Sequence, residues 1–435
     1  MSADTIYALA SGAGRAAIAV LRLSGPGVAG AVSDITGALP APRMAHFAAL
    51  CDPASREMID RGIVLFFPGP ASATGEDYAE LQVHGGAAVV DALLGVLSRR
   101  SGFRIAEPGE FVRRSFRNGK MDLSQAEALA DLIDAQTEAQ RRQALRLADG
   151  ALRRAVERWR ADLLDVRAGI EAALDFSDEG EAPAASPEEL RLRLAGPMAE
   201  MRDALSGPPA SERMREGFLV MILGPPNAGK STLLNVLARR DLAIVSPRAG
   251  TTRDMIEAHL EIEGLPATFV DTAGLRAADD EIERIGVDRT IERVASADLI
   301  LWLSDNGAPP PPEIHGEAEI LPVRSKSDRR GAPEGGLAIC APTGAGLPEL
   351  LTAIAARARV RLGDGGSSLF ARARHRGAVA EAHTALVAAV AAGEKAPELR
   401  AEDLRRASQA LGRIVGDVDV EEILGAIFSR FCMGK

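Results

Sequence analysis

The stretch Gly224-Pro225-Pro226-Asn227-Ala228-Gly229-Lys230-Ser231 constrains this chain more than any other. The apolar run Phe218 to Leu223 before it reads as a buried strand, and Thr232 to Leu237 after it reads as the first turns of a helix. Strand, glycine-rich loop and helix, in that order, make a phosphate-binding loop. Its glycines let consecutive backbone N–H groups turn toward one anion, and the helix N-terminus adds the positive end of its dipole. In such a loop Lys230 reaches the β- and γ-phosphates and the Ser231 hydroxyl ligates Mg²⁺.

Further segments follow in the order a guanine-nucleotide domain requires. Gly250-Thr251-Thr252-Arg253-Asp254 is a hydroxyl-rich loop at the distance of a switch, where one threonine can ligate Mg²⁺ and sense the γ-phosphate. The strand-like Ala267 to Val270 ends in Asp271-Thr272-Ala273-Gly274. Asp271 is expected behind the Mg²⁺ ligands, and Gly274 is expected to offer its N–H to the γ-phosphate. Asp298 to Leu303 reads as a buried strand, and Ser325-Lys326-Ser327-Asp328 follows another short one. There Asp328 would accept from the guanine N1–H and exocyclic amine, and Cys340-Ala341-Pro342 falls where a backbone N–H meets guanine O6. Leu275 stands where Ras-type enzymes carry a water-orienting glutamine, a task leucine cannot perform. Asp279-Asp280-Glu281-Ile282-Glu283 just beyond it is either a source of carboxylates for that water or a solvated acidic loop.

The 435 residues exceed one compact core and imply roughly two to four domains. Residues 1 to about 120 alternate strand-like runs with turns: Ile18 to Leu23, Gly62 to Phe67 and Glu80 to Val83, then a helical Ala87 to Arg99, an α+β pattern. From Met121 the texture is helical. Ser124 and Glu127 read as a capping box, no Gly or Pro interrupts until Gly150, and a second helical run covers Ala151 to Leu174. Ser186-Pro187-Glu188-Glu189 has the form of a third start, and helix returns from Leu369 onward. The expected fold is therefore multidomain α/β and α+β. An N-terminal α+β domain spans 1–120, and an all-helical domain is formed by 121–215 plus 361–435. A P-loop domain with a doubly wound, mostly parallel sheet is inserted at 216–360. Four consecutive prolines within Ala308 to Glu313 read as a surface loop.

Composition narrows the classes. No apolar run reaches the roughly 18 residues that span a bilayer, and the N-terminus has no basic-then-apolar leader. Cys51, Cys340 and Cys432 are too few and too scattered for a disulfide framework, which points to a cytoplasmic setting. A net charge of −10 does not advertise a nucleic-acid binder. Locally, residues 138–160 carry seven arginines (141, 142, 146, 153, 154, 158 and 160) against three acids, readable as a phosphate-binding face or a solvated helical one.

The full length resembles the MnmE/TrmE family of tRNA-modification GTPases. Besides the nucleotide motifs, the likeness rests on Gly14-Arg15 with Ile18 to Gly25, Gly69-Pro-x-x-x-Thr-Gly-Glu-Asp77, His84-Gly-Gly86, Pro108-Gly-Glu-Phe111, Lys120-x-Asp-Leu-x-x-Ala-Glu127 and the terminal Phe431-Cys-Met-Gly-Lys435. The resemblance implies a Ras-like GTPase domain and a role in building an aminomethyl or carboxymethylaminomethyl group on carbon 5 of the tRNA wobble uridine. It further implies an FAD-containing MnmG-type partner in a heterotetramer, tRNA as substrate, and a homodimer formed through a folate-binding N-terminal domain. Arg22, Glu80 and Lys120 would line the pocket for a 5-formyl or 5,10-methylene tetrahydrofolate, with Lys435 reaching it from the tail beside Cys432, the tail's catalytic candidate. Asn227, Ser246, Arg248 and Thr251 would hold K⁺, Ser231 and Thr252 would hold Mg²⁺, and Glu283 would orient water through a second water, with Lys230 on the phosphates as the other catalytic residue of this domain. The GTP site would comprise Asn227 to Thr232, Ser246, Thr251, Thr252, Asp271 to Gly274, Ser325, Lys326, Asp328 and Cys340 to Pro342.

Two other readings compete: a GTP-dependent assembly or signalling switch, which has no need of a folate-type domain and the terminal Cys-x-Gly-Lys, and a ribosome-assembly GTPase, which the acidic pI near 5.3 disfavours. The chain departs from the family pattern at three places. Ser325 replaces the asparagine of the base motif, Cys340-Ala341-Pro342 replaces Ser-Ala-x, and Met433 replaces a β-branched residue. Serine lacks the amide that bonds base and phosphate loop, so Ser325→Asn should tighten GDP and GTP by one or two hydrogen bonds at roughly 0.5–1.5 kcal/mol each, while ATP stays excluded by Asp328. Fluorescent-nucleotide titration checks this; unchanged or weaker binding contradicts it.

Overall fold

The computed structural model describes residues 4–12, 14–175, 187–206, 210–239, 256–271, 296–311, 318–330, 336–362, 369–370, 372–392, 397–417, 427–428, 431 and 434. Contacts divide the chain into two units, Met1–Ala130 with Gly412–Lys435 and Asp131–Leu411.

The first unit is built on a six-stranded sheet: β1 (Thr5–Leu9), β2 (Ala16–Ser24), β3 (His46–Cys51), β4 (Met58–Phe67), β5 (Tyr78–Gly85) and β6 (Phe103–Ile105). Its order is β3-β4-β5-β2-β1-β6, antiparallel except for the β1/β6 pair. The three strands expected from sequence are β2, β4 and β5. Period-two alternation turns Leu21, Leu23, Val64, Leu81 and Val83 into one core, where helices Val28–Thr36 and Ala87–Ser98 bury Val32, Ile35, Leu93 and Leu97. The alternate positions Arg22, Ile63, Glu80 and Gln82 face the other way, as does Phe47, which is 67% exposed.

The chain's end is tied into this unit. Ile427, Phe428 and Phe431 pack with Val112, Leu123 and Ala126. Gly434, at φ 93°, sits so close to β1 that a Cβ there would lie 2.2 Å from the Leu9 carbonyl oxygen. Only glycine tolerates both conditions.

Around helix Glu110–Arg117 lies a charge cluster that the sequence did not disclose, with Glu76, Glu110 and Arg114 buried at its centre. Arg114 bonds Glu76 at 2.9 Å, Asp4 at 2.9 Å and Glu110 at 3.2 Å, and Ser24 donates to Glu76 at 2.7 Å. Arg104 reaches Glu110 at 2.5 Å.

The helical texture after Met121 divides differently from the expected continuous run. A helix Leu123–Asp134 is followed by a second at Glu138–Ala148, opened by a Thr137/Gln140 capping box. The first is capped by Asp122, which accepts from the Gln125 N–H at 2.9 Å while Gln125 returns the bond to the Asp122 N–H at 3.0 Å. The expected Ser124/Glu127 box is thus displaced by two residues. Ser124 donates to Asp122 instead, because a carboxylate takes the N-cap as readily as a hydroxyl. Helices Ala151–Asp175 and Pro187–Ser206 match expectation, the latter with proline at its first position; Ser186 lies outside the described residues.

The second unit also holds a six-stranded sheet: β7 (Phe218–Leu223), β8 (Ile256–Ile262), β9 (Leu265–Asp271), β10 (Leu299–Ser304), β11 (Glu319–Arg324) and β12 (Leu337–Ala338), ordered β12-β11-β10-β7-β9-β8. Only the β8/β9 hairpin is antiparallel. Apolar runs in β7, β9 and β10 are buried on both faces. Phe218, Val220 and Ile222 meet Leu233 and Ile354 on one side, while Met221, Val270 and Ile300 form the core on the other. The doubly wound sheet expected from the sequence is present.

Arg114→Met removes the shared cation of the charge cluster and leaves Glu76 and Glu110 buried without it. A loss of about 3–5 kcal/mol is expected. It is read by urea unfolding of the full chain through Tyr7 and Tyr78, its two tyrosines, both in this unit. Burial pushes the Glu110 carboxyl up, but Arg104, the Glu107 N–H and Arg114 together hold it below its ordinary 4.5. Its contribution is therefore full above pH 4.5 and is lost as the pH falls further. An Arg114→Met chain of wild-type stability would contradict this account.

Candidate functional site

In a parallel pair, strand ends on one edge carry their loops side by side. β7 lies between β9 and β10, so the loop after β7 opens where the strand order reverses, the usual crevice for a ligand in an open α/β sheet. Gly224 begins that loop at φ 151°, and an added Cβ would stand 2.1 Å from the Leu303 carbonyl oxygen on β10. Asn227 at φ 62° and Gly229 at φ 94° continue the turn, and helix Lys230–Arg239 starts at once. A Cβ on Gly229 would meet nothing within 4 Å, so that side of the loop is open to an approaching anion. Lys230 folds over the loop and donates to the carbonyls of Gly224 at 3.0 Å and Pro225 at 3.1 Å. Ala228 is buried beneath the loop, and Thr232 is exposed on the helix.

Parallel registry aligns Ile222 with Asp271, which delivers the aspartate to the mouth of the loop. There the Ser231 hydroxyl donates to the Asp271 carboxylate at 2.5 Å. A hydroxyl and a buried carboxylate this close at a helix N-terminus have the oxygen chemistry that Mg²⁺ accepts.

The other half of the site is built where β10 and β11 end. The Ser325 N–H donates to the Ser304 carbonyl at 3.0 Å, and Ser327 donates to Ile339 at 3.1 Å. Ser325 is 4% exposed and its hydroxyl has no hydrogen-bond partner. Lys326 adopts φ 55°, and Asp328 stands exposed in the turn of helix Ser327–Arg330. Cys340 gives its own N–H to Ala345 at 2.9 Å, so the N–H available to a base acceptor belongs to Ala341, with Pro342 exposed beyond it.

In the first unit, antiparallel register sets Arg22 opposite Glu80, with Nε 3.1 Å from Oε1. The Tyr78 hydroxyl donates to the same carboxylate at 3.1 Å and Gln82 donates to it at 3.4 Å. Burial raises the Tyr78 hydroxyl's pKa, so it remains a proton donor. Tyr78 and Gln82 were not singled out from sequence, although their spacing of two residues from Glu80 on a strand carries that signal. Lys120 is exposed and lies over the loop before β5. Its Cε would be 3.1 Å from a Cβ on Gly75, and it makes no bond to Arg22 or Glu80.

The arginines of 138–160 are largely matched by acids. Arg141 and Arg142 both bond Glu138 at 2.7 Å, and these bonds hold its carboxyl down at about 2. Arg153 pairs with Glu157 and Arg158 with Glu200. Ser246, Arg248, Thr251, Thr252, Thr272, Ala273, Gly274, Glu283, Cys432 and Lys435 lie outside the described residues.

A glycine-built phosphate loop at the switch point of this sheet, a serine–aspartate pair at its mouth and a lysine–aspartate loop beside it define a Ras-like P-loop nucleotide-binding domain. Comparison with known proteins narrows the class. Residues 5–120 match the family model described as GTP-binding protein TrmE N-terminus, and residues 123–432 match the MnmE helical domain. The chain is similar to the tRNA modification GTPase MnmE of Methylorubrum populi, 52% identical over 440 residues, covering 99% of this chain and 98% of that one. It is likewise similar to the MnmE of Beijerinckia indica, 49% identical over 435 residues and covering 99% and 96%. The chain belongs to the MnmE family of tRNA modification GTPases. Among the described residues no helix is long and apolar enough to cross a membrane.

Proposed function

We propose that this protein hydrolyses GTP and uses that cycle in modifying tRNA at carbon 5 of the wobble uridine, with an FAD-containing MnmG-type partner and a tetrahydrofolate one-carbon donor. The observation that carries this reading is the Ser231–Asp271 pair at the mouth of the Gly224 loop, on the same sheet edge as Lys326 and Asp328, in a chain of this family. In this reading residues 216–360 are the GTP-hydrolysing insert in a helical domain of 121–215 and 361–435, and the protein works in the cytoplasm.

The loop amides from Ala228 to Thr232 and the Lys230 ammonium hold the phosphates; for this the Ala228 N–H exchanges its 3.3 Å bond to the Pro225 carbonyl, and Lys230 its two loop carbonyls, for phosphate oxygens. Ser231 and Thr252 would hold Mg²⁺, which spreads the charge that builds on the phosphate oxygens; Asp271 orients the Ser231 hydroxyl from 2.5 Å. Asn227, Ser246, Arg248 and Thr251 would hold K⁺, which supplies the positive charge that an arginine finger gives in other GTPases. Asn227 fits, because its left-handed backbone sets it at the rim of the loop, exposed and with an oxygen to offer. Glu283 orients the attacking water, a task Leu275 cannot take. Asp328 and the Ala341 N–H read the guanine.

In the N-terminal domain, Glu80 accepts hydrogen bonds from donors of the Arg22–Tyr78–Gln82 kind and equally from a pterin's ring N–H and amino groups, while Lys120 and Lys435 suit the glutamyl tail. Homodimerisation through this domain is supported by the outward apolar side chains of β3 and β4, where Phe47 and Ile63 stand opposite each other and exposed.

Two changes test the hydrolytic reading in a GTP turnover assay. Exchange of K⁺ for Na⁺ should lower kcat sharply with little change in nucleotide affinity. Glu283→Ala should cut turnover by about 10²–10⁴-fold and leave GTP binding intact. Equal turnover in both salts, together with a full-speed Glu283→Ala chain, would contradict it.

A further inference from the structure

We infer that Asp305 is a positioning residue for guanine recognition: it fixes the Lys326 ammonium, and through it the loop that presents Asp328. The inference rests on the nucleotide reading above and adds to it a residue outside the motifs that the sequence disclosed.

The geometry begins at the end of β10. Ser304 is buried, and its hydroxyl donates to Asn306 Oδ1 at 2.7 Å while accepting from the Ala308 N–H at 2.9 Å. Asn306 Oδ1 accepts the same N–H at 3.0 Å, and the Trp302 indole donates to the Ala308 carbonyl at 2.8 Å. The turn from Ser304 to Ala308 is therefore tied at both ends, and Asp305 projects from a fixed backbone. On the neighbouring strand Ser304 is in register with Arg324, so the next residues, Asp305 and the 325–328 loop, emerge together. There the Asp305 carboxylate stands 3.4 Å from Lys326 Nζ.

The loop needs such a tie. Lys326 holds a left-handed backbone conformation that a non-glycine residue adopts only where its surroundings impose it. Ser325 supplies none from its side chain, since its buried hydroxyl bonds nothing. Among the described residues the Asp305–Lys326 pair is the one side-chain bond anchoring residues 325–328. With Lys326 33% and Asp305 40% exposed, the pair adds little to global stability. Its effect falls on the loop's geometry, and so on binding.

The test titrates the full chain with methylanthraniloyl-GDP and measures thermal unfolding alongside. Asp305→Ala should weaken binding roughly five-fold, the scale of one exposed ion pair, with the melting temperature held. Asp305→Glu, which keeps the carboxylate, should restore affinity to within about two-fold. In a double-mutant cycle, Asp305→Ala should cost nothing further once Lys326 is Ala. Full affinity in Asp305→Ala, no recovery in Asp305→Glu, or additive losses in the cycle would each overturn the inference while leaving GDP binding by the wild-type chain intact. A wild-type chain that takes up no GDP would overturn the nucleotide reading itself.

Discussion

Two backbone carbonyls at the end of β10 organise the nucleotide half of this protein. The Leu303 carbonyl lies so close to Gly224 that no side chain fits there, and the Ser304 carbonyl accepts the Ser325 N–H at 3.0 Å. The phosphate loop and the base loop come from strands on either side, β7 and β11, yet both are fixed against this one strand. Parallel pairing makes this possible, because it brings consecutive strand ends to one edge, and β9 adds Asp271 by the same registry. The positive-φ residues Asn227 and Lys326 fall within these loops, where conformational strain serves the site instead of the core.

The N-terminal unit answers a different constraint. It buries several charges at once, and a buried charge is tolerated only when it is paired and hydrogen-bonded. Arg114 is bonded by Asp4, Glu76 and Glu110, residues drawn from the chain start, the loop before β5 and its own helix. One guanidinium thus fixes that loop, over which Lys120 lies, while Arg22 and Glu80 hold their places by strand register. Of the residues expected to line a pocket, Arg22 and Glu80 stand on paired strands, the rigid support that a site of defined specificity requires.

Much of this was legible before the structure. Phe218–Leu223 and the glycine loop after it are local features, and their reading depended only on neighbouring residues. The strands β2, β4 and β5 declared themselves by apolar runs between turns. β1, β3 and β6 went unseen, being short or polar at their ends, and they become strands only because a partner is waiting. The break between the helices ending at Asp134 and beginning at Glu138 was missed because neither Gly nor Pro marks it; side-chain capping by Thr137 and Gln140 does the work. Asp305 and Arg114 were invisible for a further reason: the partner of the first is 21 residues away, and two of the second's three, Asp4 and Glu76, are 110 and 38 away. Side-chain pairing over such separations follows from topology and not from spacing.

The central claim is that one strand end joins phosphate loop and base loop into a single guanine-nucleotide site. Hydrogen exchange on the full chain, alone and with GDP or ATP, measures this directly. The account predicts that GDP slows exchange together in residues 224–231, 303–308 and 325–328, and that ATP at the same concentration does not. Protection confined to 224–231, or equal protection by ATP, would contradict it.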